Sequence, residues 1–100
     1  MPTEIKLRYW QQWFSQNSKE FVSYITNKFE DISFSFIEEP IEVNPGEEKP
    51  FDIYVNDKLL YSNITPIDGE KGPILFETSK WWGEPVQSHL DRIESEITSS

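Results

Sequence analysis

Short runs in which apolar and polar residues alternate predict three of the four β-strands expected along this chain of 100 residues. In the first run, Ile5, Leu7 and Tyr9 alternate with Lys6 and Arg8, as expected for a strand with one buried face. Two further runs show the same two-residue period, and the fourth strand is inferred from the turn that follows the third. The predicted strands are therefore 5–9, 32–36, 51–55 and 58–62.

Between the first two strands, the apolar period changes to that of a helix. Asn17 precedes Glu20 by three positions, which resembles a capping box at a helix start. The apolar residues that follow share one helical face, and they are Phe21, Val22, Ile25 and Phe29. We predict a helix that begins at about Ser15 or Asn17 and ends at Phe29.

A second helix is predicted at the end of the chain. Pro85 suits a first helical position. An apolar stripe then recurs at intervals of four, three and four, formed by Val86, Leu90, Ile93 and Ile97. His89 lies off this stripe, so we expect it to be exposed.

Turn-forming residues divide the remaining chain. Proline and glycine predict loops at about 38–50 and 63–74. Asn56 and Asp57 both tolerate positive φ, so they suit a tight hairpin between the third and fourth strands. The resulting order is β-α-β-β-β-α in one domain over residues 1–100. It predicts an α/β fold with a four-stranded mixed sheet and both helices on one face or one on each face.

Charge and composition exclude several functions. Acidic residues number 18 and basic residues 9, a net charge of −9, so we expect no nucleic-acid partner. No window is apolar enough to span a bilayer, and residues 1–4 lack the features of a signal peptide. We expect an intracellular protein, soluble or peripheral in an assembly. With no cysteine and one histidine, we expect no disulfide and no metal site.

The strand–turn–helix opening and the hairpin resemble the selenoprotein W (Rdx) family. The family's opening strand resembles 5–9, its hairpin phrase resembles 51–62 closely, and a later phrase is similar to 77–80. The resemblance implies a thioredoxin-like fold and thiol oxidoreductase activity linked to glutathione or thioredoxin. However, Trp10 and Trp13 fall on the two positions where the family has cysteine or selenocysteine. Indole forms no thiolate, so we expect a redox-inactive domain that is not an enzyme and has no cofactor.

The resemblance directs attention to the tryptophan-rich end as the candidate site. We expect Trp10, Trp13 and Phe14 to form an exposed aromatic patch, extended by one of Trp81 and Trp82 while the other is buried. Such a patch favours a protein partner, within a multi-subunit assembly. In one alternative these tryptophans fill the space of a discarded active site. In another, a relic groove binds glutathione or a peptide, with Lys6 and Arg8 as its basic residues.

Three other motifs have simpler interpretations. The carboxylate pairs Glu38-Glu39 and Glu47-Glu48 are expected to be solvated in so acidic a chain. Asn63-Ile64-Thr65 matches a glycosylation sequon, which we interpret as a chance match. Pro50 is interpreted as an ordinary proline that precedes a strand.

Overall fold

The described part of the chain has an α/β fold, with two helices packed on a four-stranded mixed sheet. The structure is a computed structural model that describes residues 2–67, 69 and 87–99. The elements, in chain order, are β1 (Thr3–Trp10), α1 (Gln11–Lys28), β2 (Phe34–Ile41), β3 (Phe51–Val55), β4 (Lys58–Ser62) and α2 (Gln87–Ser99).

The strands lie in the order β2-β1-β3-β4, so β1 is central and β2 forms one edge of the described sheet. β1 pairs in parallel with β2 along eight residues, and it pairs antiparallel with β3. The crossover through α1 permits the parallel pair, and the hairpin makes β3 and β4 antiparallel. The predicted mixed sheet is confirmed, and the arrangement is compatible with a thioredoxin-like fold.

Both helices cover the same face of the sheet. Ile5 and Leu7 point to this face and are fully buried, whereas the alternate residue Lys6 is half-buried on the other face. α1 contacts β1 and β2, and α2 contacts β3 and β4. The hydroxyl of Tyr24 in α1 donates a hydrogen bond to Glu94 in α2 at 2.9 Å. Because the two helices contact each other, they lie on the same face of the sheet, which decides between the two placements predicted from the sequence.

The predicted hairpin has the expected turn. Asn56 and Asp57 have φ of 48° and 68°, as in a type I′ turn. The side-chain oxygen of Asn56 accepts a hydrogen bond from the Glu4 backbone N–H at 3.0 Å, and its own N–H donates to the Glu4 carbonyl at 2.9 Å. The turn is thereby fastened to β1.

The predicted start of α1 is wrong. The helix begins at Gln11, directly after β1, with the extended backbone of Trp10 as its N-cap. Asn17 is buried inside the helix, and Glu20 accepts a hydrogen bond from Gln16 at 3.4 Å rather than closing a capping box. No side-chain hydrogen bond caps this helix, so the capping signal in the sequence marked an interior turn.

Two further predictions are also wrong in detail. β2 begins at Phe34 and continues through Pro40 to Ile41, into the segment predicted as a loop, because β1 pairs with it over its whole length. His89 is 4% exposed rather than solvated, and its ring packs edge-on against Tyr61 with centroids 5.5 Å apart. The apolar stripe of α2 is confirmed at Leu90, Ile93 and Ile97, which are buried.

Candidate functional site

The expected aromatic patch at the end of β1 is not exposed at Trp10 and Phe14, which are 9% and 2% exposed. The Phe14 ring packs edge-on against Phe51 with centroids 5.4 Å apart. Trp10 donates its backbone N–H to the Pro50 carbonyl at 3.0 Å, and the Lys49 ammonium lies 5.1 Å from the centroid of the Trp10 ring. The prediction of exposure is wrong for both residues, because the helix starts at Gln11 and its first turn packs on the sheet.

The other residues of the predicted patch add no described contact. Trp13 belongs to α1, but its side chain lies outside the description. Trp81 and Trp82 lie outside the described residues. Of the described side chains in this set, Trp10 and Phe14 both belong to the core cluster. Their burial supports the alternative in which aromatic residues fill the space of a discarded active site.

A polar cluster fastens β2 to β1 and α1. Glu38 accepts a hydrogen bond from the Ser18 hydroxyl at 2.9 Å and one from the Tyr9 hydroxyl at 3.3 Å. Burial raises the pKa of Tyr9; the Ser18 hydrogen bond opposes this shift, and Glu38 adds to it. Glu38 is thus exposed but also has a structural role. The interpretation of Glu38-Glu39 as a solvated pair missed this role.

The two basic residues expected in a glutathione groove are both engaged by carboxylates. The Lys6 ammonium lies 3.1 Å from a carboxylate oxygen of Glu39, and an Arg8 guanidinium nitrogen lies 3.8 Å from Asp52. Arg8 borders a cavity of about 410 Å³. The rest of its described lining is apolar or acidic: Ile41, Val43, Pro50, Ile64, Glu42, Glu47 and Glu48. Three glutamates beside one arginine make this cavity unfavourable for an anionic ligand.

Asp52 is a buried carboxylate that the sequence pattern did not single out. It is 5% exposed in β3, and its Oδ1 atom has no hydrogen-bond partner. Burial raises the pKa of Asp52, while a hydrogen bond from Ser62 and the charge of Arg8 oppose the shift. The only signal in the sequence was an aspartate inside a strand pattern.

The asparagine of the sequon has a structural role. Asn63 is buried, and its Oδ1 atom accepts a hydrogen bond from the Phe51 backbone N–H at 2.7 Å. Its Nδ2 atom donates to the Lys49 carbonyl at 2.8 Å. The side chain therefore ties the end of β4 to the segment that enters β3.

β2 forms one of the two outer edges of the described sheet, and the direction of its backbone hydrogen-bonding groups follows from its pairing with β1. The Ser33 carbonyl accepts a hydrogen bond from Thr3 of β1 at 2.9 Å, so Ser33 faces inward. Backbone direction alternates along a strand, so Phe34, Phe36 and Glu38 present their N–H and C=O groups outward. No other described strand pairs with this edge. Beside it, Ile37 is 41% exposed on the face away from the helices.

No group of three histidine, cysteine, aspartate or glutamate residues within the described part of the chain is arranged to hold a metal ion. None of the described helices combines the length and apolarity required to cross a membrane. Comparisons with protein-family models, with curated proteins and with solved structures found no match. The resemblance to selenoprotein W therefore stays a prediction from residues.

Proposed function

We propose that this chain is a redox-inactive, selenoprotein W-like domain that binds another protein and serves as an accessory subunit of a larger assembly. The observation that carries the proposal is the outer edge of β2, where backbone hydrogen-bonding groups and the Ile37 side chain are exposed together. Exposed strand edges pair readily with other chains.

The proposal keeps the predicted class of function but changes the docking surface. Trp10 and Phe14 are buried, so they position β1 and α1 rather than contact a partner in this conformation. Tryptophan at both family motif positions leaves no thiol there for disulfide exchange. Binding through the sheet edge needs neither a thiol nor a cofactor.

Small-molecule binding is the second candidate, and the cavity beside Arg8 is the observation that favours it. Its charge is unfavourable for glutathione, which is a net anion at neutral pH, because three glutamates line it. Isothermal titration with glutathione tests this candidate. Saturable binding that is lost in Arg8→Gln would favour it over the protein-binding function.

Gentle purification of the native complex from its own source tests the protein-binding function. We expect the chain to be recovered in a defined multi-protein assembly, and cross-linking to place a partner beside β2. The matched variants are Ile37→Thr at the exposed position and Ile41→Thr on the same strand and face, beyond Pro40. Recovery of the unmodified chain as a particle near its own mass of 11.8 kDa would contradict the proposal.

A further inference from the structure

Charge is distributed unevenly along the β2 segment. Residues 32–37 carry no charge, and their apolar members are Ile32, Phe34, Phe36 and Ile37. Acidic pairs flank this stretch on both sides, Glu30-Asp31 before it and Glu38-Glu39 after it, and all four side chains are exposed. The chain as a whole has a net charge of −9. The uncharged first half of β2 therefore lies between an acidic turn and the acidic pair Glu38-Glu39.

The backbone defines how far an added strand would extend. Phe34, Phe36 and Glu38 direct N–H donors outward, as the alternation from Ser33 requires. The next outward position is Pro40, which has no N–H to donate. A strand added to β2 would thus find three donors in succession, and the ladder would lose its next donor at the proline.

Side chains on both faces of this edge have apolar surface that an added strand would cover. The rings of Phe34 and Phe36 lie on the helix-covered face, with centroids 5.4 Å apart, and both are only half-buried. Ile37 lies on the opposite face. A partner with apolar residues at its centre would bury surface on both faces of the sheet.

We propose that the outer edge of β2 binds an extended protein segment, apolar at its centre and basic at both ends, as a fifth strand. This inference rests on the proposed protein-binding function and names its surface and the chemistry of its partner. Glu30 and Asp31 lie in the turn before β2, and Glu38 and Glu39 lie within the strand, so basic groups at the two ends of the added segment would face acidic side chains.

A second copy of this chain fits the edge less well. If two β2 strands paired antiparallel about Phe36, Glu38 of each copy would lie opposite Phe34 of the other, so a carboxylate would be set against an apolar ring at both ends of the shared ladder. Each copy also has a net charge of −9, so two copies repel each other. A basic segment has the complementary charge at both ends in either strand direction.

The test uses the full chain and a synthetic nine-residue peptide of alternating valine and threonine with two lysines at each end. Amide hydrogen exchange is measured by NMR with and without the peptide. We expect the amides of Phe34, Phe36 and Glu38 to become protected on binding. The amides of Ser35 and Ile37 face β1 and should change little, which provides an internal control.

Control peptides and variants separate strand pairing from general charge attraction. Replacing the lysines by glutamates, or the central residue by proline, should abolish binding. Ile37→Thr should weaken the peptide affinity by roughly three- to tenfold, since apolar contact is lost. Ile41→Thr, which lies beyond Pro40, should leave the affinity unchanged.

Three results would overturn the inference. The first is protection of the three outward amides in the chain alone, which means that the edge is already covered. The second is concentration-dependent self-association that protects them, which identifies a second copy as the occupant. The third is peptide binding without alternating protection. If the native chain is nevertheless recovered in an assembly, only this surface is wrong and the protein-binding function stands.

Discussion

The β3–β4 hairpin and β2 lie on opposite sides of β1, yet they are stabilised in different ways. Ile53 and Tyr61 face each other in the hairpin and are buried, whereas β2 contains the exposed Ile37 and no fully buried residue. The hairpin is also tied through its turn to β1. β2 is held in place by its hydrogen-bonded pairing with β1 and by the hydrogen bonds that Glu38 accepts from Ser18 and Tyr9. One side of the sheet is thus a closed core, while the other keeps an accessible edge.

The largest expected contrast comes from truncating one isoleucine on each side. Ile53→Ala should lower the free energy of unfolding by about 2–5 kcal/mol, because Ile53 is fully buried between Leu7 and Tyr61. Ile37→Ala should lower it by less than about 1 kcal/mol, since that side chain is already exposed. Urea unfolding followed by circular dichroism measures both. Equal losses would show that β2 is buried in solution.

A medium effect is expected at the entrance to the hairpin. Asn63→Ala removes the partners of the Phe51 N–H and the Lys49 carbonyl, and should cost about 1–3 kcal/mol. Asn63→Asp keeps an acceptor for the Phe51 N–H but sets a buried carboxylate oxygen against the Lys49 carbonyl, so its loss should be at least as large. The control Asn44→Ala, at an exposed position after β2, should stay within about 0.5 kcal/mol in the same urea titration.

The smallest effect concerns the buried carboxylate of β3. The folded-state pKa of Asp52 is raised, so its favourable contribution is present below its ordinary pKa and is lost as the pH rises through the raised pKa. Asp52→Asn should therefore increase stability at pH 7, by less than the ~1–3 kcal/mol that an unsatisfied buried group can cost.

The matched change on β2 is Glu39→Gln, at an exposed ion pair with Lys6, which should alter stability by less than about 1 kcal/mol. Unfolding midpoints between pH 3 and pH 7 test the contrast, because Asp52→Asn should flatten the profile of the parent chain. A decrease in stability at pH 7 would mean that the Arg8 and Ser62 contacts outweigh the cost of burial.

The hairpin and β2 also differ in how well the sequence predicts them. The bounds of β3 and β4 and the turn at Asn56 and Asp57 follow from local signals, and the structure confirms them. The length of β2 depends on pairing with β1, and its Pro40 indicates a loop in the sequence although an edge strand such as β2 tolerates proline.

Tertiary contacts also explain the failures at the candidate site. The sequence pattern at Trp10 and Phe14 is the same whether their aromatic side chains are exposed or buried. Their burial depends on where α1 begins, and the misleading Asn17 signal moved that start by one to two turns. The accessible edge of β2 could not be predicted either, because it depends on the strand order of the sheet.

The hydrogen bonds of Asn63 also decide how this chain can be produced. A glycan would be attached to the Nδ2 atom, which already donates to the Lys49 carbonyl inside the fold. Because Asn63 is buried, a glycan on its Nδ2 atom would force the side chain out of this position, so N-glycosylation at Asn63 should destabilise the native hairpin. For expression through a glycosylating secretory route, Thr65→Ala would remove the acceptor motif and leave the Thr65 backbone N–H free to keep its hydrogen bond to Ser62.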